Sequence, residues 1–266
     1  PPEPANALFM HPRVRGDRVV FTVTKSSTTP EHQPEVQAPG IQVLSLPDLT
    51  PVLSWLPSPL EPWFTEAYVW EALDVSDEGV FVGLTDGRVR LLDLDGQPRV
   101  ALDAGTPVMA GEVPILAAVG HGGLHGDTMV YMTSGTTIPW GAASPELRPP
   151  SAHPAANALW VRDLQGELLW TWTGDPAVEG LTLAGDTLVV GGGPRRTDTR
   201  RDLFGAWVFD LSAEGSGQDR LQAVCSTAAP VFFRQSVAPD GRIALVEFPW
   251  AEQEQVFGSY RVTVVR

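Results

Sequence analysis

Two carboxylates and a guanidinium recur at one offset in this chain. Glu71, Glu179 and Arg234 each stand six residues ahead of a short turn, as Met10 and Gly120 do ahead of two further copies of it. Residues at one offset of a repeated unit occupy one height in a fold, so these side chains are expected in a single layer. A carboxylate pair beside an arginine is the equipment of acid–base chemistry on a glycosidic or ester bond, one acid donating a proton while the other acts as base or nucleophile. The same trio also makes a structural ion pair, and the sequence leaves both readings open.

Other side chains suggest binding. Gly191-Gly-Gly-Pro-Arg195-Arg196-Thr-Asp198-Thr-Arg200-Arg201-Asp202 gathers four arginines on an acidic chain, and guanidinium forks match carboxylate, sulfate or phosphate. Pairing with Asp198, Asp202 and the acidic surface is the competing reading. The triple glycine lacks the Lys-Ser/Thr and the following helix of a phosphate-binding loop. Trp55, Trp63, Phe64, Trp140 and Trp250 fall in or beside long connections, where large aromatics either form stacking platforms or pin loops onto sheets. His121, His125 and Asp127 are the one set with metal-ligand chemistry, yet on an extended strand positions 121 and 125 lie about 13 Å apart, so no metal is expected. His32 and His153, in Pro-rich loops, read as solvent-exposed. Cys225, the single cysteine, excludes an internal disulfide and reads as a small packed residue.

The elements that must position these residues are strands. Arg15-Gly16-Asp17-Arg18, Ser76-Asp77-Glu78-Gly79, His125-Gly126-Asp127-Thr128, Ala184-Gly185-Asp186-Thr187 and Pro239-Asp240-Gly241-Arg242 are hairpin turns, each followed by an apolar run, at steps of 61, 49, 59 and 55 residues. The second half of each unit ends in an Asp-Leu corner, clearest at Asp93-Leu-Asp-Gly96 and Asp163-Leu-Gln-Gly166. Each unit thus reads as four antiparallel strands, A to D. Four-stranded units without helical periodicity predict blades packed radially about an axis. The blades are expected at about 7–56, 68–103, 114–173, 177–226 and 230–266 in one domain, the last running out after strand C.

Leu159-Trp-Val-Arg-Asp163-Leu-Gln-Gly166-Glu-Leu-Leu-Trp170-Thr-Trp172 resembles the repeat of PQQ-like propellers. Val75-Ser-Asp77-Glu-Gly79 and Val237-Ala-Pro-Asp240-Gly241 are similar to the hairpin of YVTN-type and WD40-like repeats. These resemblances imply an all-β propeller. The units number five where PQQ-dependent dehydrogenases have eight and WD40 proteins usually seven, and no cofactor is expected.

Composition narrows the rest. With 43% hydrophobic residues over 266, the chain can bury a substantial core. Its 32 acidic against 18 basic residues, a formal charge of −14, oppose nucleic-acid binding. No apolar run of about eighteen residues suggests a membrane span; there is no signal-peptide pattern, and the compartment stays open. In such a fold the A–B and C–D turns share one face and the B–C and D–A connections the other. The long connections, Lys25–Pro39, Leu56–Val69, Asp103–Pro114, Ser134–Ala156, Gly191–Phe204 and Phe248–Phe257, belong to the second set. The expectation is therefore a binding or scaffold module whose loop-rich face, through Trp63, Phe64, Trp140, Arg195, Arg196, Arg200, Arg201, Arg234 and Trp250, holds a protein, peptide or glycan. The alternative is a hydrolase or lyase with Glu71 and Glu179 as acid and base.

Overall fold

The computed structural model describes residues 7–28, 34–57, 69–110, 113–134, 153–174, 177–193, 204–252 and 255–266. Among them every regular element is a strand. Module 1 is β1 (Ala7–Arg15), β2 (Arg18–Thr28), β3 (Pro34–Ser45) and β4 (Thr50–Trp55). Module 2 is β5 (Val69–Ser76), β6 (Gly79–Leu84), β7 (Arg88–Leu92) and β8 (Pro98–Asp103). A small hairpin, β9 (Val108–Ala110) and β10 (Val113–Ile115), follows. Module 3 is β11 (Val119–His125), β12 (Thr128–Thr133), β13 (Ala158–Asp163) and β14 (Leu168–Thr173). Module 4 is β15 (Ala177–Ala184), β16 (Thr187–Gly193), β17 (Gly205–Asp210) and β18 (Leu221–Ser226). Module 5 has β19 (Val231–Val237) and β20 (Ile243–Glu247), a hairpin of β21 (Trp250–Glu252) and β22 (Gln255–Phe257), and β23 (Arg261–Val265).

Each module is an antiparallel meander in chain order, four strands in the first four and three, β19-β20-β23, in the last. The innermost strands β5 and β11 run parallel, Glu71 opposite His121, and fuse modules 2 and 3 into one eight-stranded sheet. Neighbouring modules therefore point the same way and present the same kind of turn on the same side. Arg18 reaches Asp77 at 2.9 Å, and His125 Nε2 lies 3.0 Å from Asp186, each contact joining A–B turns of adjacent modules.

Sequence pattern explains which strands lie where. β6 and β12 are near-continuous apolar runs because modules flank them on both faces, and every residue of β6 is buried. The outer strands β8 and β14 alternate, with one face packed and one wet. At the tight B–C turn of module 2, Gly87 takes φ +89°, and a Cβ there would run into Leu116; only glycine fits.

Three connections expected as loops carry ladders of their own. Lys25–Pro39 largely prolongs the β2–β3 hairpin, with Lys25 opposite Gln37 and Thr28 opposite Pro34. Asp103–Pro114 contains most of the β9–β10 hairpin, and Phe248–Phe257 contains β21 and β22. Short strands interrupted by proline give no readable alternation. Pro39 falls where the register slips between Val23 and Lys25, the kind of place where a missing N–H is tolerated.

The core is divided among the crevices between modules. Val20, Val43 and Leu53 meet Val75, Val80 and Leu92 between modules 1 and 2. Between modules 2 and 3, Phe81, Leu91 and Val100 meet Leu124, Met129 and Tyr131. Leu159, Trp170 and Trp172 of module 3 pack on Leu188, Trp207 and Phe209 of module 4, with Trp172 edge-on to Phe209 at 5.2 Å. Val189 and Ala206 of module 4 meet Val231, Ile243 and Leu245 of module 5. Among the described residues, no core cluster joins module 5 to module 1.

Candidate functional site

Every innermost strand breaks register at one height. The slips fall between Met10 and Arg13, Val69 and Leu73, Val119 and His121, Val178 and Gly180, and Val231 and Gln235. A bulge adds a residue and re-aims the side chains around it. The offset that carries Glu71 falls at these bulges, and the residues beside Glu71 differ from those expected in two modules. His11, at φ +53°, sits beside Glu71 in place of Met10, and His121 faces it from module 3 in place of Gly120.

Glu71 thus lies between two imidazoles. His11 Nδ1 is 3.3 Å from one carboxylate oxygen and His121 Nδ1 is 3.4 Å from the other. His121 is buried and Glu71 mostly so. Burial pushes the Glu71 carboxyl upward, but the hydrogen bonds and charges of His11 and His121 outweigh it and hold the group well below the usual carboxylate range. An acid so strong stays ionised and has no proton to give. It works as a fixed anion that ties modules 1, 2 and 3 together.

His121 and His125 do not converge. His121 turns to Glu71 and His125 to Asp186 of module 4. Among the described residues no group of three or more acidic, histidine or cysteine side chains is arranged to hold a metal ion.

A second feature lies toward the rim, on the side of the B–C and D–A connections. There a groove of about 610 Å3 opens between module 2 and module 3. Asp103, Gly105 and Thr106 form one wall, and the segment from His153 to Ala155 and the strands β13 and β14 form the other. Trp160 and Arg162 project into it because Leu159 and Val161, alternating with them, face module 4. Thr171, opposite Trp160, and Thr173, opposite Ala158, add two hydroxyls.

These groups are held rigidly. Trp160 stacks on Tyr131 at 6.4 Å, its Nε1 donates to Thr133 Oγ1 at 3.3 Å, and the Arg162 guanidinium lies 5.7 Å from its ring. Arg162 Nε donates to the Tyr131 hydroxyl at 3.0 Å, and Nη1 to the Gly166 carbonyl at 2.8 Å. Burial pushes the Tyr131 phenol up, against the pull of Arg162, so it stays neutral.

His153 is buried rather than solvent-exposed, with 5% of its surface accessible. Its Nδ1 accepts the Ala155 N–H at 3.0 Å, so the neutral ring carries its proton on Nε2. Burial lowers the pKa of His153, against the raising influence of the Ile115 and Thr106 backbone. A neutral histidine therefore sits where the B–C segment of module 3 meets the D–A connection of module 2. Sequence reasoning missed this groove. The signal was present in Trp160-Val-Arg162 facing Thr171-Trp-Thr173, bulky polar side chains on one side of a pair of alternating strands.

Of the other expected residues, Trp63, Phe64, Trp140, Arg195, Arg196, Arg200 and Arg201 lie outside the described residues, as does His32. Glu179, Arg234 and Trp250 stand on β15, β19 and β21, with only their backbones described. Asp127 is exposed at the A–B turn of module 3. Cys225 is half-buried on β18 beside the core of modules 4 and 5, and burial pushes its thiol pKa up, which disfavours the nucleophilic thiolate.

No family model matches the sequence, and no curated protein matches it. Solved structures do. A chain in the complex of KlAtg21 with the coiled-coil of AgAtg16 superposes with a TM-score of 0.50 at 11% identity, over 86% of this chain and 59% of that one. A europium-containing methanol dehydrogenase gives 0.50 at 11% identity, over 95% and 56%. BamB from Moraxella catarrhalis gives 0.49 at 11% identity, over 90% and 60%. The fold is that of a β-propeller. The chain spans less than two thirds of each of these three structures. At such identities the likeness extends to architecture alone.

Proposed function

We propose that this chain is a non-catalytic binding propeller that holds a protein, peptide or glycan partner on the side of its B–C and D–A connections. The observation that carries the reading is the groove between modules 2 and 3, where an anchored indole, a guanidinium, two hydroxyls and the exposed Asp103 carboxylate meet. An aromatic wall with a few fixed polar groups orients a ligand without reacting with it. The arginines at 195, 196, 200 and 201 belong to a connection of the same set and would add a preference for anionic partners. Against the hydrolase reading, Glu71 is held ionised by its two imidazoles and is unsuited to donate a proton.

Peptide and glycan arrays test this directly. The wild-type protein should be retained on one class of ligand, and Asp103→Lys and Trp160→Ala should each weaken retention about tenfold or more, while Glu71→Gln leaves it intact. Asp103 is exposed, so its reversal does not threaten the fold. Silent arrays, or retention indifferent to both groove changes, would overturn the proposal.

A further inference from the structure

Modules of this protein interlock through two complementary faces, and among the described residues neither is covered in the first and last modules. In module 4, Val189 pairs with Val208 and Gly191 with Ala206, and this patch is covered by module 5. Module 5 repeats the patch in the same register, Ala244 paired with Val264 and Val246 with Val262. There nothing described covers it. Ala206 is fully buried, whereas Val262 and Val264 are 63% and 59% exposed. The opposite face behaves likewise. In module 2 the row Val75–Val80–Leu92 is buried against module 1. The matching row of module 1, Val14–Val19–Leu44, has Val14 61% exposed and its two neighbours half-buried.

Each end of the series therefore displays the half of the inter-module contact that the other end needs, yet no core cluster of described residues unites them. Exposed apolar surface of this kind marks an interaction site. We infer that two copies of this chain associate head to tail, the Val262–Val264 face of one copy seating on the Val14–Val19–Leu44 face of the other. A second copy is the occupant because it brings the complementary face in the register that already works four times within the chain. The contact is heterologous, joining two different patches. With a charge of −14 on each copy, association strengthens as salt screens the repulsion.

The test uses two variants of the full chain. Val262→Asp with Val264→Asp blocks one face and Val14→Asp the other, with Val264→Lys as a second form of the first block. All three positions are exposed, and an unchanged thermal midpoint confirms folding. By light scattering after gel filtration over a dilution series, the wild type should show concentration-dependent association and each variant should run as a monomer. An equimolar mixture of the two variants should recover a 1:1 complex, since each retains the face that the other lost. A wild type monomeric throughout, a Val14→Asp protein that still dimerises, or a mixture that stays monomeric would each overturn the inference, the last two because they indicate pairing of like faces. Array binding through the groove is read separately, so its failure leaves this result untouched.

Discussion

Glu71 lies within ion-pair distance of His11 and His121, which come from the modules on either side. Replacing it with glutamine removes the charge from two charge-assisted contacts and should cost about 1–3 kcal/mol in denaturant unfolding. The pH dependence has a definite sign. The folded pKa of Glu71 lies below that of the unfolded chain, about 4.3. Its contribution is complete above that value and fades as pH falls toward the folded one, because the unfolded chain then binds more protons. Acid titration of stability should therefore be shallower in Glu71→Gln than in the wild type; an equally steep acid limb would remove the carboxylate from this role. At this scale the sequence was half readable. A common offset from five turns led to Glu71, but a bulge moves the register by one residue, and nothing in Met10-His11 or Gly120-His121 says which member will face Glu71.

Elements were easier to read than residues, because Gly-Asp and Asp-Gly turns punctuate apolar runs whose alternation separates outer strands from inner ones. What escaped were the β9–β10 and β21–β22 hairpins, at three residues per strand too short to show a period. Turn chemistry itself is testable at Gly87, whose left-handed backbone and lack of room beside Leu116 forbid a side chain. Gly87→Ala should destabilise by about 2–4 kcal/mol, a sum of strain and overpacking; a loss below 1 kcal/mol would mean that the turn yields. In module 5 the last strand depends on one buried acid. Glu247 accepts from Arg261 twice at 2.8 Å, from the Ala228 and Ala229 N–H groups at 3.0 Å, and from Thr263. Arg261 and Ala228 are exposed and return to water, so Glu247→Ala leaves chiefly the buried Ala229 amide unpaired and about 1–3 kcal/mol should be lost, with amide exchange quickening in β20 and β23 first. Uniform quickening across all five sheets would contradict a local role.

For the whole molecule, the sequence conveyed repetition and direction but not closure. Five hairpin signatures predict five sheets, whereas whether the last meets the first depends on the small rotation from each module to the next, which no residue type encodes. The described cores number four for five modules, and a structure whose units touch only their neighbours has a stability close to a sum of local terms. Trp172, buried where module 3 meets module 4, offers the sharpest probe. Trp172→Ala should cost about 3–5 kcal/mol, and calorimetry should resolve two transitions where the wild type shows one. A bracelet snapped at one link still hangs together through all its others. A strip cut at an interior joint becomes two pieces, and the four cores among the described residues divide at Trp172 into the first three modules and the last two, each melting on its own terms.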